Sequence, residues 1–237
     1  MRGTGDRTFA LRPPRRGNAG LIEVDGAQPN GQTKATRGDW LNAARDVLVS
    51  EGVGEVKVLA LSHRLDVSRS SFYWYFKNRQ DLLDELLLGW EARNTRTIVE
   101  RCAAPAKTIT GAVCNFFTCF VDPRLFDCGL DFAIREWARR EAPVRLRIDA
   151  ADTTRIAAVT KMFARHGYDA SDADTRARIL YFMQLGYHAL DVREDMALRL
   201  SRVEGYVRGF TGAEPDASDL SDFLSSAETV GQAPQNF

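Results

Sequence analysis

The segment SRSSFYWYFKNRQDL, which begins at Ser68, brings together side chains that suit contact with a nucleic acid. Arg69, Tyr73 and Lys77 recur at intervals of four residues and would share one face of a helix. A guanidinium or an ammonium pairs with phosphates and base edges, and a phenol adds a hydroxyl and a ring. The spacing therefore predicts a short helix with one basic, aromatic face that fits a DNA groove.

A second face of the same segment carries Phe72 and Phe76 at helical spacing, and we expect both rings to face a small core. The helix is predicted over 69–76, with Ser68 as its N-cap. Asp66 is expected to take the left-handed turn position where glycine is usual. The phenylalanines would thus anchor the helix and leave its basic face directed outward.

Two helices are predicted before this segment, and together with it they form a helix-turn-helix unit. The run DWLNAARDVLVSEG has apolar residues at helical spacing and ends in Gly52, a common stop signal. The run 57–65 repeats that spacing. A further long helix begins near Arg79, after a break at KNRQD. This order predicts a three-helix DNA-binding head over 38–82.

The pattern in the rest of the chain is also helical, so the predicted fold class is all-α, with the head followed by a larger helical domain over 83–212. Strand patterns are weak throughout. The polar ends are predicted to be a flexible basic arm over 1–37 and a flexible tail over 213–237. Helices of the larger domain are predicted over 107–121, 130–141, 144–166, 172–191 and 195–209.

The formal net charge is zero, but the charge is unevenly spread along the chain. Residues 1–37 carry seven Lys or Arg and three Asp or Glu, whereas 81–237 carry nineteen and twenty-four. A positive front and a negative rear fit a protein whose N-terminal end meets a polyanion. An uneven distribution also arises by chance, so the charge supports the prediction without deciding it.

No membrane or export signal is evident in the sequence. No apolar stretch approaches the roughly 20 residues needed to cross a bilayer, and no apolar core follows the N-terminal arginines. We therefore expect a cytoplasmic protein without membrane contact. The four cysteines, Cys102, Cys114, Cys119 and Cys128, are then expected to be reduced thiols that behave as small buried apolar side chains.

The stretch LSHRLDVSRSSFYWYFKNRQDLLDELL resembles the DNA-binding signature of the TetR-type transcriptional regulators. The match spans 39–83 and includes the turn, the aromatic run, the Lys-Asn-Arg break and the leucines that begin the next helix. Departures are Lys57 where the family usually has Thr or Ser, Asp66 for its turn Gly, and Tyr75 for its His. The larger domain resembles the family only in being helical and of similar length.

This resemblance implies a homodimer that binds double-stranded DNA. Each subunit would place its recognition helix in one of two successive major grooves of a palindromic operator. The larger domain would serve ligand binding and dimerisation, with 172–191 and 195–209 of both chains forming a four-helix bundle. It would also enclose a pocket for a small-molecule effector, and no cofactor is implied.

Eight side chains of the head are candidates for DNA contact. Arg69, near the start of the recognition helix, suits guanine O6 and N7, and Tyr73 suits a phosphate together with a sugar or a thymine methyl. Lys57 and Lys77 suit phosphates, whereas Trp74 is expected to be half-buried against neighbouring helices. The candidate set is Lys57, Arg69, Ser70, Ser71, Tyr73, Tyr75, Lys77 and Arg79.

Aromatic side chains are frequent in the larger domain, which fits either an ordinary core or a ligand pocket between helices. A pocket of this composition would be apolar and would suit a small ring-containing or acyl compound. Arg135 would pair with an anionic group of that compound or with a neighbouring glutamate. The candidate ligand-binding residues are Trp90, Asn94, Phe117, Phe120, Phe132, Arg135, Trp137, Met183, Gln184 and Tyr187.

No catalytic or metal-binding pattern stands out, since His63, His166 and His188 have no Cys or His partner at ligand spacing. The leading hypothesis is a non-enzymatic, ligand-responsive transcriptional regulator, most simply a repressor released from its operator by a small apolar or aromatic compound. One alternative is a DNA-binding regulator without a small ligand. Others are a helical ligand-binding protein or enzyme that does not bind DNA, and a redox sensor that uses the clustered cysteines.

Overall fold

Helices account for every regular element of the computed structural model, which describes residues 35–232. No strand is formed within that range, and the all-α prediction is confirmed. A 3-10 turn at Val53–Glu55, a 3-10 helix at Arg69–Trp74 (the recognition segment) and a π-helical turn at Glu91–Thr95 lie between α-helices. The α-helices, α1 to α11 in chain order, are Arg37–Glu51, Val58–Arg64, Arg79–Trp90, Arg96–Ala103, Ile109–Val121, Cys128–Ala138, Ala142–Arg165, Ala170–Ala189, Met196–Ser201, Val203–Thr211 and Ala217–Gln232.

The predicted three-helix head consists of α1, α2 and the recognition segment, with the start of α3 packed against them. α1 begins with a capping box, in which the N–H of Asp39 donates to Thr36 Oγ1 and the N–H of Thr36 donates to Asp39 Oδ2 at 2.8 Å. It ends at Gly52, whose φ of 88° is one that glycine adopts readily. The shared apolar core of the head includes Trp40, Leu48, Leu61, Phe72, Phe76, Leu82 and Leu83.

The turn before the recognition segment follows the sequence prediction at Asp66, which has a φ of 52°. The α-helix predicted next is instead a 3-10 helix that ends at Trp74. Its serines offer the backbone other partners: Ser71 Oγ donates to the Ser68 carbonyl at 2.8 Å, and Ser68 Oγ lies 2.8 Å from Ser70 Oγ instead of capping the helix. Such local hydrogen bonds compete with the α-helical pattern.

The long helix predicted from Arg79 runs to Ala103, with one π-helical turn between α3 and α4. That wider turn contains Asn94, whose side chain is fully buried. π-Turns inside α-helices are often found at functional sites. Here the turn brings an amide side chain against the beginning of α6.

α6 and the first half of α7 pack into this first core with the head. A second apolar core lies among α4, α5, the second half of α7, α8, α10 and α11, and α7 and α8 pack along each other. The helices predicted over 107–121, 130–141, 144–166 and 172–191 are all present, with ends that differ by at most three residues. The single helix predicted over 195–209 is divided into α9 and α10 at Arg202.

The prediction of a flexible tail over 213–237 is wrong for most of that range, because α11 occupies Ala217–Gln232. Leu220, Phe223 and Ala227 are buried, and this spacing is that of a helix with one apolar face. Asp219 accepts a hydrogen bond from Thr108 Oγ1, which holds α11 against the start of α5. The polar composition of the segment concealed its apolar stripe.

The predicted basic arm falls outside the described residues except at 35–37, where Arg37 already opens α1. Among the helices that lie between residues 35 and 232, none combines the length and apolarity required to cross a membrane.

Candidate nucleic-acid interface and ligand cavity

Two buried phenylalanines fix the recognition segment to the head. Phe72 is completely buried and Phe76 is 1% exposed. The Phe72 ring meets the Trp40 indole edge-on, with 5.2 Å between centroids, and lies 5.2 Å from the Phe76 ring. Aromatic contacts of this geometry add to the free energy gained by burying the rings. The segment is therefore anchored from one side, as its sequence predicts.

The opposite side of the recognition segment presents a cation and a phenol to solvent. Arg69 is exposed and Tyr73 is 50% exposed. Arg69 Nη2 donates a hydrogen bond to Tyr73 Oη at 3.2 Å, so the two side chains lie along each other as their four-residue spacing predicts. Ser70 is exposed beside them, and Ser71 is half-buried. The remaining N–H groups of the guanidinium are available for base edges or phosphates.

Trp74 departs from the sequence prediction, because it is 66% exposed and not half-buried. The side chain two positions after Phe72 lies on another side of the helix from that buried ring, in 3-10 as in α-helical geometry. The outer surface of the head thus carries a large indole close to Tyr73. Tyr75 has the opposite placement: it is half-buried and packs against the head core.

The other three predicted DNA contacts have different surroundings. Lys77 is exposed, and Lys57 is exposed in a surface ion pair with Glu55 at 2.9 Å, which is weak enough to exchange for a phosphate. Arg79 is placed differently from the sequence prediction. Its Nε donates to the Val56 carbonyl at 2.5 Å and its Nη2 donates to the Val53 carbonyl. The guanidinium thus holds the 3-10 turn between α1 and α2 and is not directed toward the outer face.

Asp127 connects the head to the larger domain. Its Oδ1 accepts the N–H of Leu130 at 3.0 Å as the N-cap of α6, and both carboxylate oxygens accept from Arg45 on α1. Asn94 donates to its carbonyl and accepts its N–H, each at 3.0 Å. Burial raises the pKa of the Asp127 carboxyl, but the hydrogen bonds and charge supplied chiefly by Arg45 outweigh this and hold the pKa below its usual value.

A buried ionic cluster lies deeper, around Asp131 of α6. This carboxylate accepts from Trp90 Nε1 at 2.7 Å, from Arg155 Nη1 at 2.9 Å and from Arg135 Nε at 2.9 Å. Burial opposes its ionisation, yet the charges of Arg155 and then Arg135 keep its pKa low. Arg135 also donates to both oxygens of Asp152, at 2.9 and 2.6 Å.

These contacts correct the predicted ligand roles of three residues. Arg135 pairs with Asp131 and Asp152 and not with a neighbouring glutamate. Trp90 and Asn94 direct their N–H groups at α6 and its first turn. Their polar groups are satisfied inside the protein, where helix packing brings together residues that are far apart in sequence.

A cavity lies between α5, α8, α9, α10 and α11, and encloses about 480 Å³ including its open mouth. Five predicted ligand-binding residues line it: Phe117, Phe120, Met183, Gln184 and Tyr187. Phe132 and Trp137 do not, and Trp137 is buried in the first core. The other lining residues are Val121, Met196, Arg199, Leu200, Val203, Tyr206 and Phe223.

Sequence reasoning missed the lining residues from α9 to α11. Met196, Leu200 and Val203 follow helical spacing, but the sequence predicts one helix for α9 and α10 and does not distinguish its inner face from a general core. Phe223 lay in the segment predicted to be a tail. The apolar spacing of Leu220, Phe223 and Ala227 is the signal that identifies this helix.

The cysteines are all free, and three of them are buried. Burial is the main reason that the pKa values of Cys114, Cys119 and Cys128 are raised to about 12. Cys128 Sγ lies 3.5 Å from His188 Nε2. Thiols with such high pKa values are poor nucleophiles at neutral pH. Within residues 35–232, no group of three His, Cys, Asp or Glu side chains is arranged to hold a metal ion.

The head and the overall fold both resemble known proteins. Residues 41–86 match the family described as bacterial regulatory proteins, tetR family. The fold is similar to Mycobacterium smegmatis AmtR, with a TM-score of 0.54 and 18% identity over 85% of this chain and 98% of that one. It is similar to Salmonella enterica GusR, with a TM-score of 0.51 and 16% identity over 82% of this chain and 94% of that one.

A third similar structure is the fatty acid degradation regulator FadR from Bacillus halodurans, with a TM-score of 0.52 and 14% identity over 75% of this chain and 99% of that one. No curated protein matches the sequence. At these identities the structural likeness concerns the fold, and the head carries the sequence match. The helix-turn-helix head over residues 41–86 thus matches the tetR family, and the larger helical domain shares the fold of the solved regulators.

Proposed function

We propose that the protein is a ligand-responsive repressor, which binds a palindromic operator as a cytoplasmic homodimer and is released by a small apolar or aromatic compound. The observation that carries the DNA-binding half is the recognition segment, where Phe72 and Phe76 are buried and Arg69 and Tyr73 face outward. An anchored helix with an exposed basic face is what major-groove docking requires.

Each exposed side chain of the head has a role that suits its chemistry. Arg69 donates to guanine O6 and N7, a contact that discriminates against other bases by roughly 1–3 kcal/mol. Tyr73, already hydrogen-bonded to Arg69, orients the guanidinium and contacts the sugar-phosphate backbone. Lys57 and Lys77 meet phosphates, and Ser70 with Ser71 allows close approach of the backbone to the groove. Tyr75 contributes mainly by packing.

Dimerisation through α8 and α10 is supported by the apolar surface that α8 leaves uncovered. Ile179 is 53% exposed and Phe182 is 49% exposed, and Leu190 just beyond the helix is 77% exposed. On α10, Gly205 and Gly209 are exposed, and no atom lies within 4 Å of where a side chain would begin. An apolar helix face next to a flat one suits close packing against a second copy, as in a four-helix bundle.

Release by a ligand requires that the cavity be linked to the head, and the contacts offer a continuous route. Phe120 in the cavity wall packs on Phe126, with 4.9 Å between ring centroids. Phe126 directly precedes Asp127, which caps α6 and pairs with Arg45 in the head. A ligand that displaces Phe120 would shift this cap and, through it, α1. A preference of a few kcal/mol for the shifted state is enough to release DNA.

The proposal is tested by selecting bound duplexes from a random DNA pool and then titrating a compound collection against the selected duplex. We expect a palindrome, a complex of two chains per duplex, and at least one apolar or aromatic compound that releases the DNA. Failure to enrich any sequence would contradict specific DNA binding. Enrichment without any releasing compound would indicate a regulator that has no small ligand.

A further inference from the structure

The cavity contains one cationic side chain, Arg199 of α9, in an otherwise apolar and phenolic lining. Its guanidinium stacks over the Tyr187 ring, 4.8 Å from the centroid. Across the described part of the chain, no hydrogen bond or carboxylate partner is formed by this guanidinium. Two arginines nearby differ, because Arg193 pairs with Asp191 and Arg202 pairs with Glu194.

Among residues 35–232, no carboxylate lines the cavity, and two acidic groups near it have partners of their own. Glu194 accepts from Arg202, and Asp131 holds both Arg135 and Arg155. The positive charge of Arg199 is therefore not neutralised from within the cavity. Its field reaches His188, whose pKa is lowered first by burial and then by Arg199, so His188 contributes a neutral imidazole at neutral pH.

The hydroxyls of Tyr187 and Tyr206 are hydrogen-bonded to each other beside this cation. Phe117, Phe120 and Met183 supply apolar surface to the same cavity. A half-buried guanidinium without an acidic partner is a matched site for a carboxylate, because its parallel N–H groups fit the two oxygens. An apolar slot that leads to one such cation suits a molecule with a charged head and an apolar body.

We propose that the cavity binds an organic acid, whose carboxylate pairs with Arg199 and whose ring or short acyl chain lies among Phe117, Phe120 and Met183. The inference rests on the effector cavity of the proposed function and specifies the charge of its ligand. It also assigns the anion-binding role to Arg199 of α9 instead of Arg135, because Arg135 is already paired with Asp131 and Asp152.

The test compares acids with their uncharged counterparts by isothermal titration calorimetry, on the full chain without DNA and at fixed ionic strength. Octanoate, decanoate and 4-phenylbutyrate are titrated beside the corresponding primary amides into wild-type protein, Arg199→Gln, Arg199→Lys and Arg193→Gln. Arg193 is the matched control, since it is a neighbouring arginine that is exposed and paired with Asp191.

We expect at least one acid to bind both wild-type protein and Arg193→Gln about tenfold or more tightly than the corresponding amide does. A hydrogen bond between two charged groups contributes a difference of this size. Arg199→Gln should lose this preference while its thermal unfolding midpoint stays near that of wild type, and Arg199→Lys should keep part of it. Equal affinity for acid and amide, no binding of either kind of probe, or an unchanged preference in Arg199→Gln would each overturn the proposal.

Because DNA is absent from this experiment, its result is separate from that of the proposed function. Acid binding by a protein that enriches no duplex would leave the site intact and contradict the repressor. Operator release by neutral compounds, with no preference for acids, would leave the repressor intact and contradict the anion site.

Discussion

Arg45 on α1 and Asp127 at the first turn of α6 form a two-point ion pair, with Nε to Oδ2 at 2.7 Å and Nη2 to Oδ1 at 2.9 Å. The aspartate is nearly buried, and its backbone is held on both sides by Asn94. The preceding residue, Phe126, packs against the cavity wall. Asp127 therefore lies between the DNA-binding head and the cavity wall, at the edge of the apolar contact that joins α1 to α6.

Arg45→Gln is predicted to weaken this coupling more than it weakens DNA binding. In a double-mutant cycle with Asp127→Asn, we expect an interaction of about 1–2 kcal/mol in the free energy of unfolding. We also expect a higher effector concentration for half-release of DNA. Arg145→Gln is the control, because Arg145 pairs with Asp149 on the surface of its own helix. If the two substitutions change the free energy of unfolding additively, Arg45 and Asp127 do not interact energetically and the contact does not couple the head to the larger domain.

Phe72→Ala and Trp74→Ala are predicted to have opposite effects, although both remove a ring from the recognition segment. Phe72 is fully buried, so its loss should lower the free energy of unfolding by about 3–5 kcal/mol. Trp74 is 66% exposed, so its loss should cost less than about 1 kcal/mol and should mainly reduce DNA affinity. Urea denaturation and DNA titration of both variants measure this, and the reverse order of stabilities would contradict the geometry.

The cysteines are predicted to be slow to react in the native protein. With pKa values raised to about 12 for Cys114, Cys119 and Cys128, almost no thiolate is present at pH 7. A disulfide reagent such as Ellman's should label native protein far more slowly than protein in denaturant. Peroxide should leave DNA affinity unchanged. Rapid labelling coupled to loss of DNA binding would favour a redox sensor instead.

His188 is predicted to make the protein less stable as the pH falls below neutral. Burial and then Arg199 lower its pKa from the usual 6.5, and the opposing charge of Asp131 does not compensate. In the unfolded chain His188 takes up a proton near pH 6.5, whereas in the folded chain it does so at a lower pH. The contribution of neutral His188 to the free energy of unfolding is therefore fully present above pH 6.5 and declines as the pH falls toward the lowered pKa. Denaturation from pH 8 to 5 should show a smaller decline for His188→Gln, and identical declines would contradict the assignment.

The head was largely predictable from sequence, because its fold depends on short-range signals. The stop at Gly52, the turn at Asp66 and the spacing of Phe72 and Phe76 are all local, and each is found as expected. What local signals did not show was the 3-10 geometry of the recognition segment. Hydrogen bonds among Ser68, Ser70 and Ser71 accompany that geometry.

The cavity was predicted only in part, because its lining is decided by how distant helices pack. The aromatic composition predicts Phe117 and Tyr187, but no local sequence signal distinguishes an arginine that pairs with buried carboxylates from one that does not. Arg135 meets Asp152 on α7, whereas the partner of Arg199 within the described residues is the Tyr187 ring. The sequence does not predict α11 for a related reason. Its few apolar residues are recognised as a buried face only once they are seen to pack against α5.

The central claim is that the outward face of the recognition segment reads DNA, and its most direct test is fluorescence anisotropy with the duplex selected by wild-type protein. Arg69→Ala is predicted to bind that duplex about tenfold or more weakly, to discriminate less at one base pair of each half-site, and to unfold at the same temperature as wild type. Arg96→Ala, an exposed arginine on α4, should bind as wild type does. If Arg69→Ala binds the selected duplex with wild-type affinity and specificity, the recognition segment does not read the operator and the account is wrong.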